Sequence, residues 1–475
     1  MVRAIASRPT FREDEAGAGT VFGLFMFVTF AVLLGLMLDG TQGWWNKTRL
    51  AAAADIGAHA GAVAMANGKT EDEIVSFAVS AVETNLPSSI FGNVIDASTD
   101  VILTHYDPVS RKFEGVGDPN AVMVRVQRSE GYKNAIPTFL LKLAGFGSLE
   151  TSAVSASVFD INGACSSIDG IYSYEKLTLT SQTDVGAGFC LHSKDVVWLP
   201  QQNTFEEGSF VSMPDLDKCK NKCTDSANPG IVALELNMIL PDYGEWIQDT
   251  YNAFAASTPY DVSGIAYDFF KDVTLGDQSE LIAKKILKKP VAKGTVVPLT
   301  TDDFHDLSAL PAGLVYLVNC NGNGKSSRLY FSDTTGQMSH AALISDCNFD
   351  FEDGARAVGS VLITMRESSS ATVTAKSKVT IADPFRACDP NDRTILMSMS
   401  KVKVPANFVM SNVTLVVDDD VDIASATSKS DSSVGFSIHA SGTVHVSSQH
   451  TFRVCGSGES ALTPKGKIVR LVNLP

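Results

Sequence analysis

The sequence has no cysteine before position 165, and its basic residues are outnumbered, 38 against 53 acidic ones. The net charge of −15 argues against nucleic acid, and against an anionic lipid surface, as the main partner. The eight cysteines all lie at or beyond position 165. An even number of cysteines confined to one part of a chain is typical of disulfides formed in an oxidising compartment.

Catalytic and cofactor-binding motifs are also missing. No G-x-S-x-G nucleophile motif occurs, and Ser339 and His340 are only neighbours in the chain. Cys219 and Cys223 have C-x3-C spacing but lack the second Cys or His pair that zinc requires, so we expect a disulfide there, either local or to a neighbouring cysteine. We therefore predict no enzyme activity, no cofactor and no metal site.

Three further patterns resemble ligand sites, but each has a simpler interpretation. The run DDDVD at 418–422 lacks the glycine and the glutamate of a calcium loop, and GNGKS at 322–326 lacks the first glycine of a phosphate loop. Both runs are predicted to be turns. His439, His445 and His450 have no carboxylate at ligand spacing and are predicted to be surface residues.

Charged residues are absent from 20–38, which reads TVFGLFMFVTFAVLLGLML. A helix of this length spans roughly 28 Å, close to the bilayer core of about 30 Å. The run is longer than the apolar part of a secretory signal and no small-x-small cleavage site follows it, so we predict a retained membrane anchor. Its small residues, including Gly19, Gly23 and Gly35, recur at the four-residue spacing that lets transmembrane helices approach closely.

The helix is predicted to continue beyond the membrane. Trp44 and Trp45 stand where an interfacial aromatic belt is expected, and the following segment up to Asn67 is rich in alanine, the best helix former.

This N-terminal order resembles the TadE/TadG-like proteins of the tight-adherence (Flp-type) pilus apparatus, over about the first 65 residues. In that family an apolar helix ends at an aspartate and continues through an arginine into a small-residue stretch. Asp39, Arg49 and Asp55, with the alanines at 51–54, hold the matching positions. The resemblance implies an assembly protein whose N-terminal helix packs with other pilin-like or pilus-platform proteins in the bacterial inner membrane.

The resemblance also bears on processing. Members that a prepilin peptidase cuts carry a glutamate five residues after a glycine, whereas Leu24 follows Gly19 and Phe22 follows Gly17 at that spacing. The chain is therefore similar to the larger, unprocessed TadG-like branch.

Three arginines precede the apolar run and only Lys47 and Arg49 closely follow it, which weakly favours a cytoplasmic N-terminus. The cysteines and the resemblance indicate the same orientation. We expect a single-pass inner-membrane protein with a cytoplasmic head at 1–19, a transmembrane helix at 20–38 and a periplasmic or extracellular body.

The first part of the body, 39–160, is predicted to be an extended helix and a pilin-like α+β domain. Thr70 and Glu73 have the spacing of a capping box that starts a second helix, and alternating valines around Val124 indicate a strand.

Beyond residue 160 the sequence turns β-rich. In the C-terminal third, short runs begin at 379, 402, 421 and 444, each preceded by a partner run, and such recurrence about every 20 residues favours a parallel β-helix or solenoid. An antiparallel sandwich is the alternative. We divide this part into a β-rich region at 161–230, a helical insertion at 231–310 and a solenoid-like region at 311–475. The predicted fold class is α+β.

Nearness in sequence predicts three disulfides. The pairs are Cys165 with Cys190, Cys320 with Cys347, and Cys388 with Cys455.

These features predict a structural, minor-pilin-like component of a Flp-type pilus or a related secretion apparatus. The alternative is a membrane-tethered β-helix enzyme that cleaves carbohydrate, or an adhesin that binds an envelope or surface glycan. A groove rich in Asp, Glu, Arg and aromatic residues would favour that alternative, whereas a groove of Ser, Thr and Val would favour scaffolding.

Overall fold

The computed structural model describes residues 17–107, 112–114, 118–160, 169–219, 222–320, 327–376, 380–381, 388–405, 409–425, 432–455 and 462–472. The chain forms two compact units. The first contains the residues up to Asp160 together with the C-terminal segment from Val469, and the second contains Ile161–Ile468. The division at Asp160 coincides with the predicted end of the first domain.

The first unit is built on one unbroken helix of 49 residues, α1 (Ala18–Ala66). Two helices follow, α2 (Glu71–Asn85) and α3 (Ser88–Phe91). Thr70 and Glu73 form the predicted capping box, in which each side chain bonds the other residue's backbone N–H.

The strands of this unit form an antiparallel sheet and a small hairpin. The sheet contains β1 (Val101–Asp107), β2 (Lys112–Glu114), β3 (Ala121–Arg128) and β6 (Thr151–Asp160) in the order β2-β1-β3-β6. The hairpin pairs β4 (Ile136–Pro137) with β5 (Ser148–Leu149).

The alanine-rich half of α1 packs inside this unit. A Cβ atom on Gly57 would lie 2.6 Å from the side chain of Val82 on α2, and one on Gly61 would lie 2.8 Å from Val122 on β3. Ala53, Ala54, Ala58 and Ala62 are buried in the same core. The small residues are therefore needed for close packing within the chain.

The second unit is a solenoid whose strands pair in parallel, so the sandwich alternative is wrong. In the first coils, the strands are β7 (Gly170–Ser173), β8 (Leu177–Leu179), β9 (Asp184–Val185), β10 (Cys190–Ser193), β11 (Val197–Trp198), β12 (Thr204–Phe205), β13 (Phe210–Met213) and β14 (Ala233–Glu235). The helices that follow are α4 (Tyr243–Ala255), α5 (Ile265–Phe270) and α6 (Ser279–Ala283).

The chain then resumes the solenoid. The next elements are β15 (Val296–Leu299), α7 (Thr301–Asp306), β16 (Ala309–Leu310), β17 (Val315–Val318), β18 (Arg328–Phe331), β19 (Gln337–Ser339), β20 (Ala342–Ser345), β21 (Asn348–Phe351), β22 (Ala357–Val358), β23 (Val361–Thr364), β24 (Val373–Ala375) and β25 (Thr380–Ile381). The last coils contain β26 (Thr394–Ser398), β27 (Val402–Val404), β28 (Val409–Met410), β29 (Val413–Val417), β30 (Val421–Ile423), β31 (Ser432–Val434), β32 (Phe436–Ala440), β33 (Val444–Val446) and β34 (Thr451–Arg453).

These strands stack into sheets that run along the solenoid. The largest has eleven strands, in the order β14-β13-β10-β7-β32-β29-β26-β23-β20-β17-β15. A second sheet has eight strands, and shorter sheets form the remaining side. Because β7 pairs with β32, the first coil of the chain lies beside the last one, in the interior of the stack.

The chain reaches this arrangement by crossing the stack once. β14 and β15 occupy opposite edges of the eleven-stranded sheet, so the segment 236–295 connects one edge of the sheet to the other. Helix α4 packs on β17, β20 and β29, and its Tyr243, Ile247 and Phe254 are buried with residues of that sheet. The predicted helical insertion at 231–310 is therefore too long at both ends, since β14, β15 and β16 are strands of the stack.

Two further predictions, one on the repeat series and one on the end of the solenoid, were wrong. The run at 379 does not continue the series at 402, 421 and 444, because Val402 pairs with Val373 of β24. The segment 468–472 is β35 (Ile468–Val472), which lies beside β6 in the sheet of the first unit and not in the solenoid.

Positive backbone φ angles recur at the corners that lead into the eleven-stranded sheet. Gly313 (79°), Gly359 (54°) and Gly435 (67°) hold such corners, and His340 (52°) and Asn412 (57°) hold equivalent ones. A left-handed residue at this place turns the chain into the next coil, and glycine adopts that conformation without steric cost.

Three disulfides join described cysteines, namely Cys219 with Cys223, Cys320 with Cys347, and Cys388 with Cys455. The last two are the pairs that nearness in sequence predicts, and the first is the local alternative for the C-x3-C pair. Cys190 is disulfide-bonded as well, while Cys165 lies outside the described residues. Disulfides throughout the solenoid indicate an oxidising, non-cytoplasmic compartment.

Candidate functional site

Among the described residues, α1 is the one helix long and apolar enough to cross a membrane. Its apolar part is almost wholly exposed: Phe22, Phe25 and Phe27 keep 61%, 67% and 71% of their surface accessible. Such a stripe of exposed aromatic and aliphatic side chains is unfavourable in water. The first half of α1 is therefore the most conspicuous unpartnered surface in the described part of the chain.

The predicted helix-packing glycines differ in what surrounds them. Gly19 and Gly23 have open space where a Cβ atom would stand. At Gly35 a Cβ atom would lie 2.7 Å from the Cβ of Leu140, so that position is already occupied by the chain's own loop. The prediction that Gly35 packs against another transmembrane helix is therefore wrong.

Asp39 holds the same loop. Its carboxylate is buried and accepts hydrogen bonds from the backbone N–H groups of Phe139 (2.6 Å), Leu140 (3.0 Å) and Leu141 (2.7 Å), where a short 3-10 helix begins. Burial raises the pKa of Asp39, but the three N–H donors and the charge of Lys142 outweigh it, and the net pKa is lowered. A charged carboxylate at this point fastens the loop to α1.

Arg49 and Asp55 have different surroundings. The Arg49 guanidinium lies over the Trp45 ring at 4.5 Å and near the Phe91 ring at 5.8 Å, on the exposed surface of the first unit. Asp55 is exposed on α1. Trp44 and Trp45 are 67% and 53% exposed, one to two turns beyond Asp39.

Replacing Asp39 by alanine should free the loop without unfolding the first unit. The three N–H groups would lose their acceptor, so their amide hydrogens should exchange roughly tenfold faster in detergent-solubilised protein, as measured by hydrogen exchange and mass spectrometry. Asp55→Ala, on an exposed position of the same helix, is the matched control. Unchanged exchange at 139–141 in Asp39→Ala would show that the loop is held by other contacts.

One polar groove of the solenoid, of about 430 Å³, is lined by residues that include Gln337, Ser339, His340, Arg356 and Asp392. Another, of about 540 Å³, is lined by residues that include Lys176, Asp195, Trp198, Asp215 and Asp217. Ser339 Oγ lies 2.8 Å from His340 Nδ1, and His340 Nε2 lies 3.2 Å from a carboxylate oxygen of Asp392. The prediction that Ser339 and His340 are merely neighbours in sequence missed this contact, because Asp392 comes from another coil. Among the described residues, no aromatic side chain lines the groove at His340, whereas Trp198 lines the other one.

The C-terminal histidines do not form a site. His439 is buried and stacks on Tyr172 with ring centroids 5.0 Å apart, whereas His450 Nε2 lies 2.9 Å from the carbonyl oxygen of Ala424. His439 belongs to β32 and His445 to β33, which are in different sheets. The prediction that all three are surface residues is wrong for His439 and His450, which are buried.

The remaining ligand-like patterns are structural. Asp420 and Asp422 of the DDDVD run pair with Lys401, and Asp418 accepts a hydrogen bond from Ser441. The one cluster of potential metal ligands among the described residues is Cys320, Asp346 and Cys347, but its two sulfur atoms are joined in a disulfide. The GNGKS run lies outside the described residues.

Comparison with known proteins matches most of the solenoid to a family. The model of that family, described as a domain of unknown function (DUF7867), matches residues 170–456, from the first strand of the solenoid to just beyond its last one. No curated protein and no solved structure matches the chain. Since the match covers more than half of the chain, the protein belongs to the family of the domain of unknown function DUF7867.

Proposed function

We propose that the protein is a membrane-anchored structural component of a bacterial Flp-type pilus or a related secretion apparatus, with a minor-pilin-like role. The observation that carries the proposal is the continuity of α1: its exposed apolar half runs without a break into a half whose Leu50, Ala54 and Ala58 are buried in the core. Cleavage of the apolar half as a signal peptide would leave the buried half of α1 in place. It would, however, remove Gly35 or Asp39, or leave them at a new chain end, although both contact the loop at 139–141. This supports a helix that is retained.

The first unit then corresponds to a pilin-like domain, in which a long N-terminal helix packs on an antiparallel sheet. The resemblance of Asp39, Arg49 and Asp55 to the TadE/TadG-like pattern supports the same assignment. In this proposal the N-terminus is cytoplasmic, the anchor lies in the inner membrane, and the disulfide-bonded solenoid lies in the periplasm or outside the cell.

The alanines of α1 support a narrower assembly surface than the sequence predicts. Ala53, Ala54, Ala58 and Ala62 are buried in the core of the first unit and are unavailable to other subunits. The surface left for pilin-like or pilus-platform partners is the apolar half around Gly19 and Gly23, where small residues with open space allow a second helix to approach.

The test is photo-crosslinking in cells from position 27, where benzoylphenylalanine replaces the exposed Phe27, followed by mass spectrometry of the captured proteins. Pilin-like or platform proteins are the expected catch. Gly23→Leu, one turn away, should lower their yield roughly fivefold, equivalent to about 1 kcal/mol of helix association. Gly40→Leu is the matched control, because Gly40 also faces open space but lies beyond the apolar run. Equal yields in the two variants would contradict the proposed surface.

A second candidate function is glycan binding or cleavage by the solenoid. It is favoured by the groove, where Arg356, His340 and Asp392 come together beside Ser339. Sugar rings commonly stack on aromatic side chains, and the described lining of this groove contains none. The groove that holds Trp198 beside Asp195 and Asp215 has the acidic and aromatic lining that favours this function. Capture of only the protein itself or of unrelated envelope proteins from position 27 would favour the glycan function over pilus assembly.

A further inference from the structure

The loop Thr138–Gly147, which connects β4 to β5, points back along α1 toward its apolar end. Leu149, after the loop, lies 3.5 Å from where a Cβ atom on Gly43 would stand, and Leu140 lies against Gly35. Gly35 and Gly43 are eight residues apart, about 12 Å along a helix. The loop therefore descends about two turns of α1 from the body side.

The depth of the loop follows from this contact. Gly35 lies within the uncharged run, three residues before its end at Leu38. If that run crosses a bilayer, Leu140 lies about 5 Å inside the apolar layer. Trp44 and Trp45 then stand several ångströms above that boundary, at the depth of the headgroups.

The loop is built for an apolar environment. Phe139 and Phe146 are 71% and 62% exposed, and Lys142 lies with its Nζ 5.9 Å from the Phe139 ring centroid, so a cationic group accompanies the two aromatic ones. Unpaired backbone N–H groups are costly in lipid. The carboxylate of Asp39 satisfies three of them, and Thr138 bonds both the carbonyl of Phe146 and that of Gly147.

We infer that this loop is a second membrane-contact element, in which Phe139 and Phe146 insert among the lipid acyl chains of the leaflet on the body side, next to the anchor. Lys142 reaches from the aromatic tip to the headgroup layer. The occupant is lipid, because the loop shares the depth of the apolar run and is continuous with its exposed surface. The loop thereby fixes the tilt and rotation of α1 relative to the bilayer, which a single helix leaves free. The inference rests on the proposed retention of α1 in the membrane.

The experiment uses the full chain reconstituted into phosphatidylcholine vesicles that contain lipids spin-labelled on the acyl chain. One additional cysteine, which alone carries the fluorophore NBD, is placed at position 146 (Phe146→Cys), at 77 (Phe77→Cys) or at 28 (Val28→Cys). Phe77 is the matched control, since it is an exposed phenylalanine (51%) of the first unit on α2, away from α1's apolar end. Position 28 reports whether the anchor is in the bilayer.

We expect NBD at 146 to emit at shorter wavelength and to lose emission to the spin labels as it does at 28, while NBD at 77 does neither. Quenching at 28 with none at 146 would overturn the inference and leave the anchor intact. Absence of quenching at 28 would instead overturn the anchor itself, and with it the loop's membrane contact. The double variant Phe139→Ser/Phe146→Ser adds an independent readout. If the loop orients α1, the emission wavelength of Trp44 and Trp45 should shift in this variant.

Discussion

Replacing Arg393 by methionine should lower the free energy of unfolding of the solenoid by about 3–5 kcal/mol. Arg393 is buried and donates from Nη2 to Asp169 at 2.8 Å and from Nε to Thr414 at 2.8 Å. Asp169 also accepts from the backbone N–H of Cys455 at 2.6 Å. The ion pair thus joins the beginning of the first coil to the last ones, where the chain closes its stack.

The large effect arises because the variant leaves the Asp169 carboxylate buried without its cation. A pair that is removed as a whole costs less. Arg393→Met/Asp169→Asn should therefore recover part of the loss, since the amide oxygen of asparagine is neutral and can still accept from Cys455.

The measurement is urea unfolding of the full chain in detergent, followed by the fluorescence of Trp198 and Trp246 in a background where Trp44 and Trp45 are phenylalanine. Lys401→Met is the control, because its ion pairs with Asp420 and Asp422 are partly solvated and should contribute less than about 1 kcal/mol. A loss in Arg393→Met no greater than that of Lys401→Met would refute the role of the buried pair.

Acidification from pH 7.5 to pH 4.5 should destabilise the solenoid, and His439→Phe should remove about 3 kcal/mol of that loss. Burial, followed by the charge of Arg393, lowers the pKa of His439 to about 3. The unfolded chain takes up a proton near the ordinary value of about 6.5, whereas the folded chain does not until about 3. Unfolding therefore becomes more favourable as the pH falls through that window.

The phenylalanine variant keeps an aromatic ring on Tyr172 and on Tyr243, which His439 contacts at 5.0 Å and 5.7 Å between centroids. At pH 7.5 the histidine is neutral, and neither ring nitrogen has a hydrogen-bond partner among the described residues. The variant should thus be at least as stable there as the parent. Parallel stability curves for parent and variant between pH 7.5 and 4.5 would show that His439 does not titrate in this way. His192, whose pKa burial also lowers to about 3, accounts for a similar share that persists in the variant.

Part of the fold is readable from local patterns. The runs at 402, 421 and 444 share one sheet, and their first valines stay in register although the steps between them are 19 and 23 residues. The first coils are more regular, with Gly170, Cys190 and Phe210 aligned at 20-residue steps, but the aligned positions hold three different residue types instead of one repeated valine. The run at 379 was wrongly placed in the series because its coil is longer than its neighbours. In that coil Val361 and Ile395 are aligned across 34 residues.

The features of the candidate site also separate into those that the sequence predicts and those that it does not. The apolar length of α1 and the Cys320–Cys347 pair follow from the sequence, because they depend on residues close in the chain or on composition alone. The glycine spacing did not distinguish Gly19 and Gly23, which face open space, from Gly35, which Leu140 covers. The loop on Gly35 and Asp39 is about a hundred residues away from both, and nothing in its own composition marks what it covers.

The sequence by itself determined an apolar helix that continues into an alanine-rich half, a body of short strands, and an oxidised set of cysteines. Only the tertiary structure decided that the first and last coils are neighbours, that the segment 236–295 crosses the whole sheet, and that β35 returns to the first unit. The physical reason is that periodicity records which side of an element is buried, whereas the identity of the distant partner depends on packing, buried charge and loop closure across hundreds of residues.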